Sequence, residues 1–198
     1  MRGDLSLIEP WITSESRVLD LGCGDGTLLA HLQERKSVLG YGLEIGEKQI
    51  NACVSKGVNV IEHNLDDKDL SCFGDQQFDT VIMTQALQAV RRPDLMLDEM
   101  LRMGREGIVT FPNFGHWRCR YYLLSKGKMP VSKTLPYHWY DTPNIHLCTF
   151  KDFEALCDEK NIRILNRTVV DSEFESTRLA IRWPNLFAEL AIYRIAKN

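Results

Sequence analysis

The chain has 198 residues, of which 44% are hydrophobic and 26% are charged, and its formal net charge is −3. A chain of this length can fold around one full hydrophobic core, so we expect a single domain over residues 1–198. The nearly balanced charge excludes a disordered polyelectrolyte, and the slight acidity argues against a nucleic-acid binder, which usually carries a basic excess.

The sequence contains no segment typical of a membrane span or a secretory signal. Its longest runs without a charged residue, Thr80–Val90 and Gly107–Trp117, have 11 residues each, whereas a membrane helix needs about 18 or more apolar residues. The N-terminal residues Met1–Asp4 lead into mixed sequence without the apolar core of a signal peptide. We therefore expect a cytoplasmic protein whose six cysteines are reduced thiols, most of them buried in the core.

Short apolar runs alternate with amphipathic segments through the first half of the chain, as in β-α units that build a parallel sheet. The pattern predicts an α/β protein. A helix is expected after the first strand, and two further helices have readable ends, because Gly57 follows Glu47–Lys56 and Gly104 follows Asp94–Met103. Five strands rich in Val, Ile and Leu are predicted: Arg17–Leu21, Val38–Leu43, Val58–Ile61, Phe78–Met83 and Gly107–Phe111.

This alternation ends after the fifth strand. Residues 115–147 contain three prolines and cannot form one regular element, so we expect an irregular insertion that covers a ligand or docks a partner. Thr149 and Asp152 form a helix-capping pattern that predicts a helix. Ile162–Val170 and Phe187–Ala196 are then predicted to form an antiparallel pair at one edge of the sheet.

The most informative segment is the turn after the first strand, Asp20-Leu21-Gly22-Cys23-Gly24-Asp25-Gly26. Glycine at every second position lets the backbone approach a ligand closely, and the helix that follows offers free N–H groups and a positive dipole end. The spacing differs from the G-x-G-x-x-G fingerprint of dinucleotide-binding proteins. Asp20 can accept hydrogen bonds from the ammonium group of a compact ligand with an amino-acid head. A pyrophosphate has no such group for Asp20 to bind.

A second acidic residue supports a nucleoside ligand. Glu44 ends the second strand 24 residues after Asp20, close to the roughly 20-residue offset at which a carboxylate accepts hydrogen bonds from ribose hydroxyls. In this form the segment resembles the D-x-G-x-G-x-G motif of class I S-adenosylmethionine-dependent methyltransferases. The resemblance implies that Asn64 contacts the adenine amino group and that Leu65 packs on the ring, although Asn64 also suits a surface turn.

The resemblance thus assigns a set of residues to S-adenosylmethionine or S-adenosylhomocysteine. They are Asp20, Gly22, Cys23, Gly24, Gly26, Glu44, Ile45, Asn64, Leu65 and Thr84.

No residue set for methyl transfer stands out as clearly. Displacement at a sulfonium carbon requires positioning rather than a base when the acceptor is already nucleophilic. Many related methyltransferases carry a histidine after the fourth strand, where this chain has Gln85 and Gln88. The histidines lack the spacing of zinc ligands, so we expect no metal site. The candidate catalytic residues are Gln85, His116, Tyr137 and His146.

The insertion carries an uneven charge. No acidic residue lies between Glu106 and Asp141, whereas five basic residues lie there: Arg118, Arg120, Lys126, Lys128 and Lys133. The pattern predicts a face for an anionic small molecule or for an acidic protein surface, and a solvated face is the alternative.

Longer segments are more selective than the glycine motif. The chain contains RVLDLGCGDGTLL, TQALQAVRRPD, EMLRMGREGIVTFPNFGHWRCR, MPVSKTLPYHWYDTPNIHLCT and RWPNLFAELAIYR. These segments resemble the methionine biosynthesis protein family MetW along essentially the whole chain. The resemblance implies a Rossmann-like class I methyltransferase fold, with a seven-stranded, mostly parallel sheet and an antiparallel final strand.

The resemblance also implies a place in bacterial methionine biosynthesis and an association with the homoserine O-acyltransferase MetX. Two functions remain open. The chain either activates or regulates the acyltransferase, with its nucleotide site sensing S-adenosylmethionine, or it transfers a methyl group to an unidentified small-molecule acceptor.

Overall fold

The computed structural model of the chain describes residues 3–67, 70–171 and 173–198, whose strands form one seven-stranded sheet. No helix in these ranges is long and apolar enough to cross a membrane. The strands are β1 (Arg17–Leu21), β2 (Leu39–Glu44), β3 (Asn59–Glu62), β4 (Phe78–Thr84), β5 (Gly104–Pro112), β6 (Ile162–Val170) and β7 (Leu190–Lys197). The helices are α1 (Gly3–Ile8), α2 (Thr27–Lys36), α3 (Glu47–Ser55), α4 (Pro93–Met103), α5 (Trp117–Lys126), α6 (Phe150–Glu159), α7 (Arg178–Arg182) and α8 (Pro184–Phe187).

The strand order β3-β2-β1-β4-β5-β7-β6 confirms the predicted α/β fold. The first five strands pair in parallel, and β7 pairs antiparallel with both β5 and β6. The order reverses between β1 and β4, and ligands of open α/β sheets bind beside such a switch point at the carboxyl ends of the strands. The fold therefore places the glycine turn after β1 and the end of β4 next to each other.

Successive residues of the strands pack on opposite faces of the sheet, which explains their apolar sequences. Leu19 and Leu21 belong to a core with buried side chains of α4 and α6, whereas Val18 belongs to a second core with those of α2. In the first core Phe111 and Tyr193 stack with ring centroids 6.0 Å apart. Both faces of the sheet are thus covered, and its carboxyl edge carries the loops.

The insertion is more regular than predicted, because its first third forms α5. The prolines that argue against a regular element begin at Pro130, after this helix has ended. His116 caps the first turn of α5 with its side chain, and Gly127 ends the helix at φ +61°. The irregular part of the insertion therefore comprises only residues 127–147.

The segment between β6 and β7 also differs from the prediction. Phe187 ends the short helix α8, and β7 begins three residues later at Leu190. Pro184 is the first residue of α8, where its missing N–H costs no hydrogen bond, so it starts a helix there. The predicted antiparallel pairing of β6 and β7 is confirmed.

All six cysteines lie in the described ranges, and none forms a disulfide. Four are buried, as predicted for core residues: Cys23, Cys53, Cys119 and Cys157. Burial raises the pKa of Cys148 and of Cys157 to about 12, so both thiols are protonated at neutral pH.

Candidate functional site

The three glycines of the turn after β1 adopt the left-handed backbone conformation that their alternating pattern predicts. Gly22, Gly24 and Gly26 have φ values of +74°, +56° and +73°, in the left-handed region that other residues rarely adopt. The N–H groups of Gly22 and Cys23 both donate to the carbonyl oxygen of Leu43, over 2.9 and 3.1 Å. The turn is therefore fixed to the end of β2 and presents its outer side at the carboxyl edge.

A lysine on the far side of the turn stabilises it. Lys56, directly after α3, donates through Nζ to Asp25 Oδ2 over 2.6 Å and to Thr27 Oγ1 over 2.8 Å. The hydrogen bond from Lys56 is the main cause that lowers the pKa of Asp25 to about 2. Sequence reasoning missed this contact, since only the packing of α3 brings Lys56 beside the turn.

Glu44 connects the ends of β1 and β2. Its Oε2 accepts a hydrogen bond from the Gly24 N–H over 2.8 Å, and its Oε1 accepts from the Ile45 and Gly46 N–H groups over 2.9 and 3.0 Å. A carboxylate has about four acceptor sites, so one site on Oε2 is left beside Gly24. Glu44 can thus hold the turn and accept one hydrogen bond from a ligand.

A cavity of about 150 Å³ lies beside this carboxylate. Five of the ten residues predicted to bind the cofactor line it: Gly22, Glu44, Ile45, Asn64 and Leu65. The other wall comes from residues that sequence reasoning did not identify, chiefly Ala86, Ala89 and Val90 after β4. The cavity thus combines apolar walls with two carboxylates, Glu44 and Asp66, a mixture that suits an adenine ring with its ribose.

Asn64 and Leu65 differ in how they are engaged. The side-chain oxygen of Asn64 accepts from the Asp66 N–H over 3.1 Å, which closes a turn within residues 64–66. Leu65 is partly buried against the core and lines the cavity beside Gly22. Asn64 is thus held in a turn, and both Asn64 and Leu65 line the cavity.

The remaining predicted cofactor residues lie around the turn. Asp20 is 1% exposed at the end of β1, and Thr84 is 8% exposed at the end of β4. A Cβ built on Gly24 meets nothing within 4 Å, so the space outside the turn at Gly24 is open to a ligand. Open backbone, a nearby carboxylate and an apolar cavity are what S-adenosylmethionine requires, and the residues present fit it.

Gln85 carries strain at the end of β4. Its φ is +53°, although it is not glycine, and its N–H donates to both the carbonyl and the hydroxyl oxygen of Thr110 over 2.9 and 3.0 Å. Gln88 then donates through Nε2 to the Gln85 carbonyl oxygen over 2.7 Å. Strained residues held in this way cluster at functional sites.

The four candidate catalytic residues do not line one cavity. His116 lines a cavity of about 620 Å³, whereas His146 lines a separate one of about 140 Å³, and neither includes Gln85 or Tyr137. Tyr137 is 48% exposed, and the ring nitrogen Nε2 of His146 lies 3.3 Å from the Arg91 carbonyl oxygen. Within the described ranges no three His, Cys, Asp or Glu side chains are grouped as metal ligands.

The larger cavity holds charges of both signs. Arg118 and Lys133 of the basic stretch line it, together with Asp171, Glu173 and Glu189 from the β6–β7 side. Arg118 lies 3.8 Å from Glu189, and the side chain of Arg120 donates to the carbonyl oxygens of Gly115 and Asn185. The acid-free stretch of sequence therefore faces carboxylates brought by the fold.

His116 has a structural task at the start of α5. It is 6% exposed, and its Nδ1 accepts a hydrogen bond from the Arg118 N–H over 3.4 Å. Burial is the main cause that lowers the pKa of His116 to about 4, and the Arg118 charge adds to the effect. The ring is therefore neutral at pH 7, as an acceptor at a helix N-terminus must be.

This shift predicts a pH-dependent stability. The pKa of His116 is about 4 in the folded chain and about 6.5 in the unfolded chain. The contribution of the neutral ring to the free energy of unfolding is therefore present above pH 6.5. As the pH falls toward 4, the free energy of unfolding decreases by up to about 3 kcal/mol. His116→Asn keeps a capping acceptor without a titrating ring, so urea unfolding should show a smaller loss over this range. His138→Asn, which replaces an exposed ring, should lose as much stability over this pH range as the parent. If all three proteins lose the same amount, His116 is not the cause of the loss.

Comparison with known proteins agrees with this geometry. The family model described as methionine biosynthesis protein MetW matches residues 2–195. The bifunctional methionine biosynthesis protein MetXA/MetW of Rhodopirellula baltica is 34% identical in an alignment of 190 positions that covers 91% of this chain. The chain spans about 30% of the length of this curated relative.

Solved structures show the same fold at low identity. An S-adenosylmethionine-dependent methyltransferase from Mesorhizobium loti is 12% identical with a TM-score of 0.71, and 98% of each chain is covered. The [4+2]-cyclase SpnF is 17% identical with a TM-score of 0.67, over 98% of this chain and 80% of that one. The fold is thus that of class I methyltransferases, and the cyclase shows that it serves other chemistry as well.

Proposed function

The chain belongs to the methionine biosynthesis protein MetW family, and from that membership we propose that it binds S-adenosylmethionine and acts with homoserine O-acyltransferase as an activating or regulatory subunit. S-adenosylmethionine is the downstream product of the pathway, so its binding would report how much methionine the cell has made. The turn at Gly22–Gly26 would be the sensor, and the acyltransferase would be the enzyme that responds.

The observation that carries the partnership is the relative from Rhodopirellula baltica. Its name joins MetXA and MetW, and this chain matches only about 30% of its length. The joining of two proteins in one chain of one organism favours an association between the separate chains elsewhere.

The residues of the candidate site suit the parts of the ligand. Asp20 would accept from the ammonium group, and the free acceptor site of Glu44 would bind a ribose hydroxyl beside Gly24. Leu65 and Ala86 would enclose the adenine, since both line the cavity. When bound, S-adenosylmethionine supplies an electrophilic methyl group on its sulfonium.

Methyl transfer to a small-molecule acceptor is the second candidate function. The observation that favours it is the strained backbone of Gln85 at the end of β4. Strain at this position orients a side chain beside the switch point of the sheet. His116 and His146 line different cavities, and neither cavity includes Gln85 or Tyr137, which favours the regulatory function instead.

Co-elution tests the partnership. The purified chain and the homoserine O-acyltransferase of the same organism should elute together from a size-exclusion column, with a mass that equals the sum of their subunits. An unrelated methyltransferase of the same fold serves as the control and should elute apart from the acyltransferase. Separate elution of this chain at micromolar concentration would contradict the proposal.

A further inference from the structure

Helix α5 presents an apolar stripe to solvent. Trp117, Tyr121 and Leu124 follow each other at intervals of four and three residues, so their side chains share one face of the helix. They are 42%, 65% and 86% exposed. The one buried residue of this helix is Cys119, on the opposite face.

Helices α2, α4 and α6 have the reverse arrangement. Helix α4 buries five apolar residues against the sheet: Met96, Leu97, Met100, Leu101 and Met103. An isolated helix of ten residues is marginal in water and gains its stability from burying an apolar face. The outer face of α5 lacks such burial within the described chain, so it has the character of a surface that a partner covers.

Local contacts fix the helix in place for binding. His116 caps its first turn, and Arg120 donates to the carbonyl oxygens of Gly115 and Asn185. Arg118 lies over the Trp117 ring at 5.5 Å from its centroid. Such a helix can enter a groove without first having to fold, which lowers the entropy cost of binding.

The composition of the stripe indicates the chemistry of the partner. Tyr and Trp are the residues that dominate binding energy at interfaces, together with Arg. Helix α5 carries Arg118, Arg120 and Lys126 and no acidic residue. Arg118 lies beside Glu189, and Arg120 donates to backbone carbonyl oxygens. A matching surface is therefore an apolar groove that takes side chains at helical spacing and has a carboxylate near Lys126.

We propose that the outer face of α5, formed by Trp117, Tyr121 and Leu124, is the surface that docks the homoserine O-acyltransferase. This inference rests on the proposed function, which supplies the partner through the fused relative. None of the three residues lines the cavity beside Glu44, so the docking face and that cavity share no residue. The geometry gives the chain two separate surfaces, one for the nucleotide and one for the enzyme.

The test measures the affinity of the acyltransferase for variants of this face. Leu124→Glu places a charge on the most exposed residue of the stripe and should raise Kd by at least about 30-fold, and Tyr121→Ala should raise it by about tenfold. Val54→Glu is the matched control, because Val54 is 63% exposed on α3, and it should leave Kd unchanged. Calorimetry with S-adenosylmethionine should give the parent value for all three variants, which shows that they are folded.

The outcomes separate this inference from the proposed function. If the parent chain does not bind the acyltransferase, the proposed function fails. If the parent binds and both α5 variants bind as tightly as the parent, the docking face lies elsewhere and only this inference is overturned. Sedimentation of the chain alone provides a further check, since a dimer that Leu124→Glu dissociates would assign the face to a second copy and overturn the inference.

Discussion

Gly24→Arg should abolish the binding of S-adenosylmethionine, with an affinity loss of at least about 100-fold in isothermal calorimetry. The space outside Gly24 is open, since a Cβ built there meets no protein atom within 4 Å, so we expect the new side chain to extend into the region that the ligand needs. The Gly24 N–H also donates to Glu44 over 2.8 Å. A long side chain at this position therefore blocks the approach to the turn and disturbs its link to β2.

A matched variant separates blocking from strain. Gly57 has a φ of +71° and open space around a Cβ, as Gly24 does, but it precedes β3 at the opposite edge of the sheet. Both substitutions place a non-glycine residue in the left-handed region, which costs about 1–2 kcal/mol of stability. Gly57→Arg should therefore show a similar loss of stability and normal ligand binding. If Gly24→Arg and Gly57→Arg bind S-adenosylmethionine with the same affinity, the turn at Gly24 is not part of the binding site.

Glu44→Ala should lower the affinity for S-adenosylmethionine by roughly 10- to 100-fold, because hydrogen bonds to a charged group contribute about 1.5–3 kcal/mol. The carboxylate accepts from three backbone N–H groups, those of Gly24, Ile45 and Gly46, and retains one acceptor site for the ligand. Its removal should also lower the free energy of unfolding by about 1–2 kcal/mol. Calorimetry measures the first effect and urea unfolding the second.

Glu47→Ala is the control for this substitution. Glu47 is exposed in the first turn of α3, three residues after Glu44, so the change in net charge is the same. It should leave ligand affinity at the parent value. If Glu44→Ala also binds like the parent, the carboxylate serves only the turn, and the assignment of the ribose to this position is wrong.

The features that the sequence predicted well depend on neighbouring residues. Alternating glycines after an apolar strand require a left-handed turn, and the structure has φ values of +74°, +56° and +73° there. The capping box of Thr149 and Asp152 is also formed, because its hydrogen bonds join residues three apart. Patterns of this kind determine local structure almost alone.

The features that were missed depend on contacts between distant segments. Lys56 reaches Asp25 across 31 residues, and Glu189 meets Arg118 across an even longer stretch of chain. Helix α5 was missed for a different reason, since its apolar residues face outward and a pattern of buried positions is absent. Helix α8 was not predicted either, although Pro184 stands at its first position, where proline is favourable.

If this chain regulates the acyltransferase in response to S-adenosylmethionine, the acyl-transfer rate should depend on both the chain and the nucleotide. The rate of purified homoserine O-acyltransferase should rise when the chain is added in equal amount. Titration with S-adenosylmethionine should then change that rate with a midpoint at the Kd from calorimetry, and Gly24→Arg should raise the rate without responding to the nucleotide. An acyl-transfer rate that is the same with and without the chain would show that the chain does not activate the enzyme.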